Sequence, residues 1–167
     1  MSHSKSRILR QSLVLVFGTC STLLFTGCST TGPKFSALTA EPGKAVVYIY
    51  RPNRFVGSPQ TFSIWVNQKH LTSLTNGGYF AYTTDPGEQH FEYKTEISVF
   101  NFGAIALIEK KGDLIDFVAE ADRTYYVKYQ LTGAPSLKHA IPCKAALVDE
   151  GTALQEIAKC KMTESST

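Results

Sequence analysis

Short runs of alternating residues fill the chain from Lys44 onward and constrain its fold more than any other feature. In the first run, Val46, Tyr48 and Tyr50 alternate with other β-branched or apolar residues until Pro52 ends it. A period of two is typical of strands, and apolar residues on both faces indicate a central strand. We therefore expect a mainly β fold, an antiparallel β-sandwich or curled sheet of about 7–8 strands.

Turn residues separate the later runs into further strands. Asn67, Gly77 and the Asp85-Pro86-Gly87 stretch supply the positive or fixed φ that tight turns require. The apolar run at 104–108 fits either a buried strand or a membrane-contacting loop, and we interpret it as a strand. After the first strand, the candidate strand segments are 60–67, 69–75, 79–82, 89–97, 104–108, 114–120, 124–131 and the strand-like 141–148.

A helical period marks the C-terminal end of the domain. Thr152 and Gln155 have the spacing of a helix capping box, and Leu154, Ile157 and Ala158 follow at helical spacing. One C-terminal helix is therefore expected, and its apolar stripe should pack on the sheet.

The N-terminal residues have the pattern of an export signal. Lys5, Arg7 and Arg10 precede an apolar segment at 13–25. That segment is interrupted by Gly, Ser and Thr, and it is shorter than the roughly 20 apolar residues that a membrane-spanning helix needs. The segment therefore indicates secretion rather than a permanent transmembrane anchor.

The end of this segment, Leu24-Phe25-Thr26-Gly27-Cys28, resembles the lipobox of bacterial lipoproteins, with Phe at one position where the family usually has Leu. The resemblance implies that a signal peptide at 1–27 is removed and that Cys28 carries the lipid that holds the protein on a membrane. Under the sorting rule of enterobacterial lipoproteins, Ser29 implies the periplasmic face of the outer membrane. Residues 28–43 have no strand or helix period and are expected to form a flexible tether.

The charge balance argues against nucleic acid as a partner. Residues 1–27 hold three of the 17 Lys and Arg residues and none of the 14 Asp and Glu residues, which leaves 14 of each in the rest of the chain. Without an excess of positive charge, the domain has little attraction to phosphates by counterion release. The remaining length suits one domain, expected at 44–161, with a disordered tail at 162–167.

Two cysteines remain besides the lipidated one. Cys143 and Cys160 would lie in an oxidising compartment, so we predict a disulfide that pins the helix to the sheet. Closing a loop of about 18 residues would contribute about 3 kcal/mol. The alternative is a metal site in which His139 joins both cysteines, but its fourth ligand would have to come from Asp149 or Glu150. We favour the disulfide and expect no metal.

Four motifs, taken in order, resemble the small bacterial lipoproteins grouped as domain of unknown function 2846. They are Lys44-Ala45-Val46-Val47-Tyr48-Ile49-Tyr50-Arg51-Pro52, Val66-Asn67-Gln68-Lys69, Gly78-Tyr79-Phe80 and Pro86-Gly87. The similarity covers most of 44–131 and implies no activity, because that family has none assigned. The layout is also similar to the carbohydrate-associated modules called PEGA domains, which implies no more than an all-β fold.

Two groups of residues are candidates for binding. By alternation, Trp65 lies on the strand face opposite Phe62, where it either contacts a sugar or partner or is covered by another layer. Arg51, Arg54 and Phe55 begin a loop that could grip an anionic glycan or a partner's carboxylate, or could simply be solvated.

The sequence shows no catalytic pattern. A Gly-x-Ser-x-Gly elbow, an HExxH motif and a phosphate-cradling glycine loop are all absent from it. We therefore expect a lipid-anchored, non-enzymatic envelope module that binds a glycan, peptidoglycan or a protein and uses no cofactor. An accessory subunit of an envelope complex is the first alternative, and a periplasmic hydrolase is the second.

Overall fold

The computed structural model describes residues 32–55, 60–101, 104–133 and 143–165. Within these ranges the chain forms nine strands and one helix. The strands are β1 (Ala45–Tyr50), β2 (Phe62–Val66), β3 (Lys69–Leu74), β4 (Gly78–Thr84), β5 (Gly87–Asn101), β6 (Ala104–Ala119), β7 (Thr124–Leu131), β8 (Cys143–Leu147) and β9 (Lys161–Met162), and the helix is α1 (Glu150–Ile157).

The strands form two sheets. One has the order β8-β7-β1-β4-β9 and the other has the order β3-β2-β5-β6. Most neighbours are antiparallel, but β1 runs parallel to β7 and β4 runs parallel to β9. The predicted mainly β, sandwich-like fold with one helix near the C-terminus is confirmed, while the two parallel pairs were not predicted because alternation does not reveal strand direction.

The central strand β1 is buried on both faces, as its sequence predicts. Val47 and Ile49 belong to the core between the two sheets, where they meet Phe62 and Ile64 from β2. The alternate residues of β1, including Tyr48, belong to a second core on the outer face of the five-stranded sheet. The fold therefore has three layers at this position, and β1 lies in the middle one.

Helix α1 covers that outer face. Ala153 and Ile157, four positions apart on one helix face, are its buried residues. The predicted apolar stripe is therefore only partly correct, because Ile157 is buried whereas Leu154 and Ala158 are exposed. The helix begins one turn earlier than the capping box predicts, because the Asp149 carboxylate accepts a hydrogen bond from the Thr152 backbone N–H at 2.9 Å. An aspartate at this position satisfies a free backbone donor as well as a threonine does.

A small polar cluster joins α1 to the sheet. The Glu156 carboxylate accepts hydrogen bonds from the Tyr50 hydroxyl at 2.7 Å and from the Lys128 ammonium at 2.5 Å. Burial alone raises the pKa of Glu156, but these two donors outweigh it, so the net pKa is lowered. The folded protein therefore favours the ionised carboxylate.

This cluster predicts a loss of stability in acid. Because folding lowers the pKa of Glu156, its contribution is complete above the ordinary pKa of about 4.3 and disappears as the pH falls through the lower folded value. Glu156→Gln should reduce the acid-dependent loss of unfolding free energy by about 1 kcal/mol or less, since the Glu156–Lys128 ion pair is partly exposed. Urea unfolding of the wild type and of the variant, at neutral pH and in acid, measures the difference. Identical pH dependence of the unfolding free energy in the two proteins would contradict the prediction.

The two cysteines lie on opposite faces of the five-stranded sheet. Cys143 packs into the core between the sheets, whereas Cys160 belongs to the core beneath α1. Both are free thiols. The predicted Cys143–Cys160 disulfide is therefore not formed in this structure, and two thiols on opposite faces of a sheet do not share one metal ion. His139, the third ligand of that alternative site, lies outside the described residues. The helix is held by packing and by the Glu156 cluster instead.

Both thiols are also poorly reactive. Burial is the main cause that raises the pKa of Cys143, and burial with the nearby Glu156 raises the pKa of Cys160 to about 11. Since the thiolate is the reactive species, both groups should resist oxidation while the protein is folded.

We expect both Cys143 and Cys160 to react with a thiol-specific chromogenic reagent in denaturant without reductant. A reductant should leave the free energy of unfolding unchanged, whereas a bridge across about 18 residues would contribute about 3 kcal/mol. Finding neither of these two thiols reactive in the denatured, non-reduced protein would show that the bridge forms after all.

Both ends of the described chain extend the fold beyond the predicted domain limits of 44–161. Phe35, within the predicted tether, contacts the rings of Tyr48 and Tyr79 with centroids 5.3 and 5.4 Å apart. Thr163, within the predicted tail, is buried and donates its backbone N–H to the Tyr79 carbonyl at 2.8 Å. Single anchoring residues in polar segments carry no periodic signal, so the sequence did not reveal them.

Strands β5 and β6 form one long hairpin. Their pairing continues from Gly87 opposite Ala119 to Asn101 opposite Ala104. The ambiguous run at 104–108 is therefore a strand, as we interpreted it, rather than a loop. Among the described residues, no helix has the length and apolar character needed to cross a membrane.

Candidate functional site

A cavity of about 300 Å³ opens where β1 and β7 end. Because β1 and β7 are parallel, their C-terminal ends meet at the same edge of the sheet. The described residues that line the cavity are Arg51, Pro52, Arg54, Phe55, Gln130 and Leu131. Three of the four predicted binding residues thus come together here.

Arg51 forms the inner wall of this cavity. Its side chain is only 2% exposed, and a guanidinium N–H donates to the Gln60 carbonyl at 2.5 Å. The guanidinium also lies over the Phe62 ring, 5.2 Å from the ring centroid. Burial lowers the pKa of Arg51, yet an arginine remains protonated in proteins. The wall therefore carries a fixed positive charge.

The loop after Arg51 is clamped to the β3–β4 turn by one side chain. The Asn76 amide N–H donates to the Asn53 side chain at 2.8 Å and to the Arg54 carbonyl at 2.9 Å. The Asn76 carbonyl oxygen in turn accepts the Arg54 backbone N–H at 3.0 Å. Asn53 and Arg54, in the described part of the loop, are therefore held in a defined position against the β3–β4 turn.

The outer wall presents one cation and one aromatic ring. Arg54 is exposed, and Phe55 is 97% exposed. The Phe55 ring thus leaves a large aromatic surface exposed to solvent at the rim of the cavity. With two guanidinium groups and no carboxylate in its described lining, the cavity is suited to an anionic group.

Trp65 lies elsewhere. The predicted alternation is confirmed, because Phe62, Ile64 and Val66 are buried while Trp65 points to the outer face of the four-stranded sheet. There the indole is half-buried, with the Lys94 ammonium 3.8 Å from the ring centroid. The indole is thus neither a core residue nor an open stacking surface, and it does not share a site with the arginines.

Two lining residues, Gln130 and Leu131, were not predicted as part of the site. They lie about 80 positions from Arg51 along the chain, and only the parallel pairing of β1 with β7 brings them together. The alternation in β7 indicates which residues share a face, but no local signal indicates which strand is the neighbour.

One comparison with known proteins gives a match. A family model described as protein of unknown function (DUF2846) matches residues 41–140, which is more than half of the chain. No curated protein and no solved structure gives a significant match. On the strength of this match, the chain belongs to the DUF2846 family of proteins of unknown function.

Proposed function

We propose that this protein is a non-enzymatic binding module, held at the periplasmic face of the outer membrane by a lipid on Cys28. The cavity at Arg51 and Arg54 binds a carboxylate or phosphate group of a cell-envelope partner. The observation that carries the proposal is the pairing of a rigid, buried guanidinium with an exposed one around a single cavity. Planar guanidinium groups match carboxylate and phosphate in a bidentate geometry.

Binding fits this site better than catalysis does. General acid–base chemistry needs an imidazole or a carboxylate within hydrogen-bond reach of the substrate. The described lining offers two arginines, an amide and apolar side chains, none of which is an imidazole or a carboxylate. A hydrolase would therefore have to use another part of the molecule.

The exposed Phe55 favours a second candidate function, an accessory subunit of an envelope complex. Aromatic and arginine side chains supply much of the binding energy at protein interfaces. In this version the partner's carboxylate would enter the cavity while Phe55 packs against an apolar surface beside it. The two candidates use the same residues and differ in the chemistry of the partner.

Co-sedimentation with purified peptidoglycan sacculi separates these candidates. The full-length protein in detergent should sediment with sacculi, and Arg54→Glu should reduce the bound fraction at least tenfold. Arg123→Glu is the matched control, because Arg123 is exposed in the turn before β7, at the opposite end of that strand from the cavity. Failure of the wild type to sediment would leave the protein-partner candidate, and equal loss in both variants would remove the cavity as the site.

A further inference from the structure

A second polar cluster lies on the outer face of the four-stranded sheet, apart from the arginine cavity. His90 and Glu92 come from β5, two residues apart and so on one face of the strand. Asp116 lies opposite His90, and Asp113 lies opposite Glu92. The register shifts between these two pairs, so the hairpin contains a bulge at this point.

The bulge explains how two aspartates reach one site. Residues 113 and 116 are an odd number of positions apart, so a regular strand would place them on opposite faces. The extra residue, Leu114, restores both aspartates to the outer face beside His90. Three carboxylates and one imidazole are thereby gathered around a single point of the sheet.

The imidazole has the orientation of a metal ligand. Its Nδ1 is 2.5 Å from Asp116 Oδ1, and its Nε2 faces Asp113 Oδ1 at 3.7 Å. One ligand atom from each of His90, Glu92 and Asp113 lies within 4.8 Å of the other two. A carboxylate on one ring nitrogen fixes the tautomer and leaves the other nitrogen's lone pair for a metal, as in carboxylate–histidine–zinc triads.

The spacing of His90 and Asp113 is close to what a metal ion requires, and all three ligand atoms lie within 4.8 Å of one another. Ligand atoms about 2.0–2.1 Å from a tetrahedral zinc ion are about 3.3 Å apart, so the observed 3.7 Å needs only a small rotation of the Asp113 side chain. Without an ion, Glu92 and Asp113 are like charges in directly opposite positions, an arrangement that destabilises a sheet. A divalent cation would convert this repulsion into attraction.

We propose that His90 Nε2, Glu92 and Asp113 form a binding site for a divalent metal ion of the zinc type. Asp116 acts as a positioning residue that holds the imidazole. The nitrogen ligand favours zinc over calcium, which prefers six to eight oxygen ligands. Three protein ligands leave a coordination position for water or for a group of a partner. The bound ion would join β5 to β6 at the bulge, where the regular pairing is interrupted.

A lysine follows the cluster on this face of β5 and is engaged elsewhere. Lys94, the next outward residue of the strand, has its ammonium 3.8 Å from the centroid of the Trp65 ring. An incoming metal ion would interact with the carboxylates of Glu92 and Asp113.

Isothermal titration of the full-length, chelator-treated protein with zinc chloride tests this site. One equivalent should bind, and His90→Ala should weaken binding at least tenfold. Asp116→Asn should weaken it by about 10–100-fold while leaving the three ligands in place. His70→Ala is the matched control, because His70 is on the same sheet and its ring lies beside Trp65, 5.2 Å between centroids; this variant should bind like the wild type.

Circular dichroism shows whether each variant is folded before the titration. Three results would overturn the proposal: no zinc binding by the wild type, equal zinc affinity in wild type and His90→Ala, or a loss in His70→Ala as large as that in His90→Ala. Calcium chloride serves as the second probe. Calcium binding that matches zinc and is unaffected by His90→Ala would identify a plain acidic surface and would also overturn the site.

Discussion

Phe62→Ala should lower the free energy of unfolding by about 3–5 kcal/mol, the cost of removing a fully buried aromatic side chain. Phe62 is inaccessible to solvent, and its ring contacts those of Tyr93 and Tyr129 at centroid distances of 5.8 and 5.0 Å. The ring also lies beneath the Arg51 guanidinium. The variant should therefore both weaken the core and loosen the inner wall of the cavity.

Urea unfolding followed by the fluorescence of the single tryptophan measures this loss. Phe55→Ala is the matched control, because it removes the same side chain from a position that is almost fully exposed, and it should change stability by no more than about 0.5 kcal/mol. Equal losses in the two variants would contradict the assignment of Phe62 to the core and of Phe55 to the surface.

Ile157→Ala should cost about 2–5 kcal/mol, because Ile157 is completely buried between α1 and the five-stranded sheet. The size of this effect reports how the helix is attached. Packing is the main attachment in the structure, since the two cysteines are free and lie on opposite faces of the sheet. The loss should therefore be the same with and without reductant.

Leu154→Ala provides the control within the same helix. Leu154 is on the exposed side of α1, and leucine and alanine have similar helix propensities, so the change should be about 0.5 kcal/mol or less. A small loss in Ile157→Ala, or one that appears only after reduction, would show that a covalent link holds the helix.

The sequence predicts those elements of the fold whose burial it encodes directly. Alternation identified β1 as a central strand, because all six of its residues are buried. In β5, Phe91, Tyr93 and Thr95 are buried while Glu92 and Glu96 lie on the other face, as a period of two requires. In both strands, the burial of each residue can be predicted from that residue and its nearest neighbours in the sequence.

Features that depend on which elements become neighbours were not predictable in this way. The disulfide prediction assumed that Cys143 and the helix share one side of the sheet, but a strand period does not reveal on which side a later helix docks. The cavity depends on the parallel pairing of β1 with β7, and the metal-type cluster depends on a bulge opposite Glu92. Local sequence shows the side chains but not these pairings.

Only the part of the candidate site that lies within one stretch of sequence was predictable. Arg51, Arg54 and Phe55 are close in sequence, so their grouping followed from one loop. Trp65 was a second candidate, chosen as an aromatic on an outward face, and the structure places it on the other sheet against Lys94. The clamp by Asn76 comes from a distant turn, and no pattern in the loop itself indicates it.

In-cell photo-crosslinking from position 55 tests the central claim, that the arginine cavity is where an envelope partner binds. A photoreactive residue replaces Phe55 in the full-length chain, and mass spectrometry identifies the adducts. The control carries the same residue at Val118, which is exposed beside a different cleft lined by Glu120 and Asp122. We predict an adduct from position 55 that Arg54→Glu abolishes, and none from position 118. Equal adducts from both positions, or an adduct from position 55 that survives Arg54→Glu, would contradict the account.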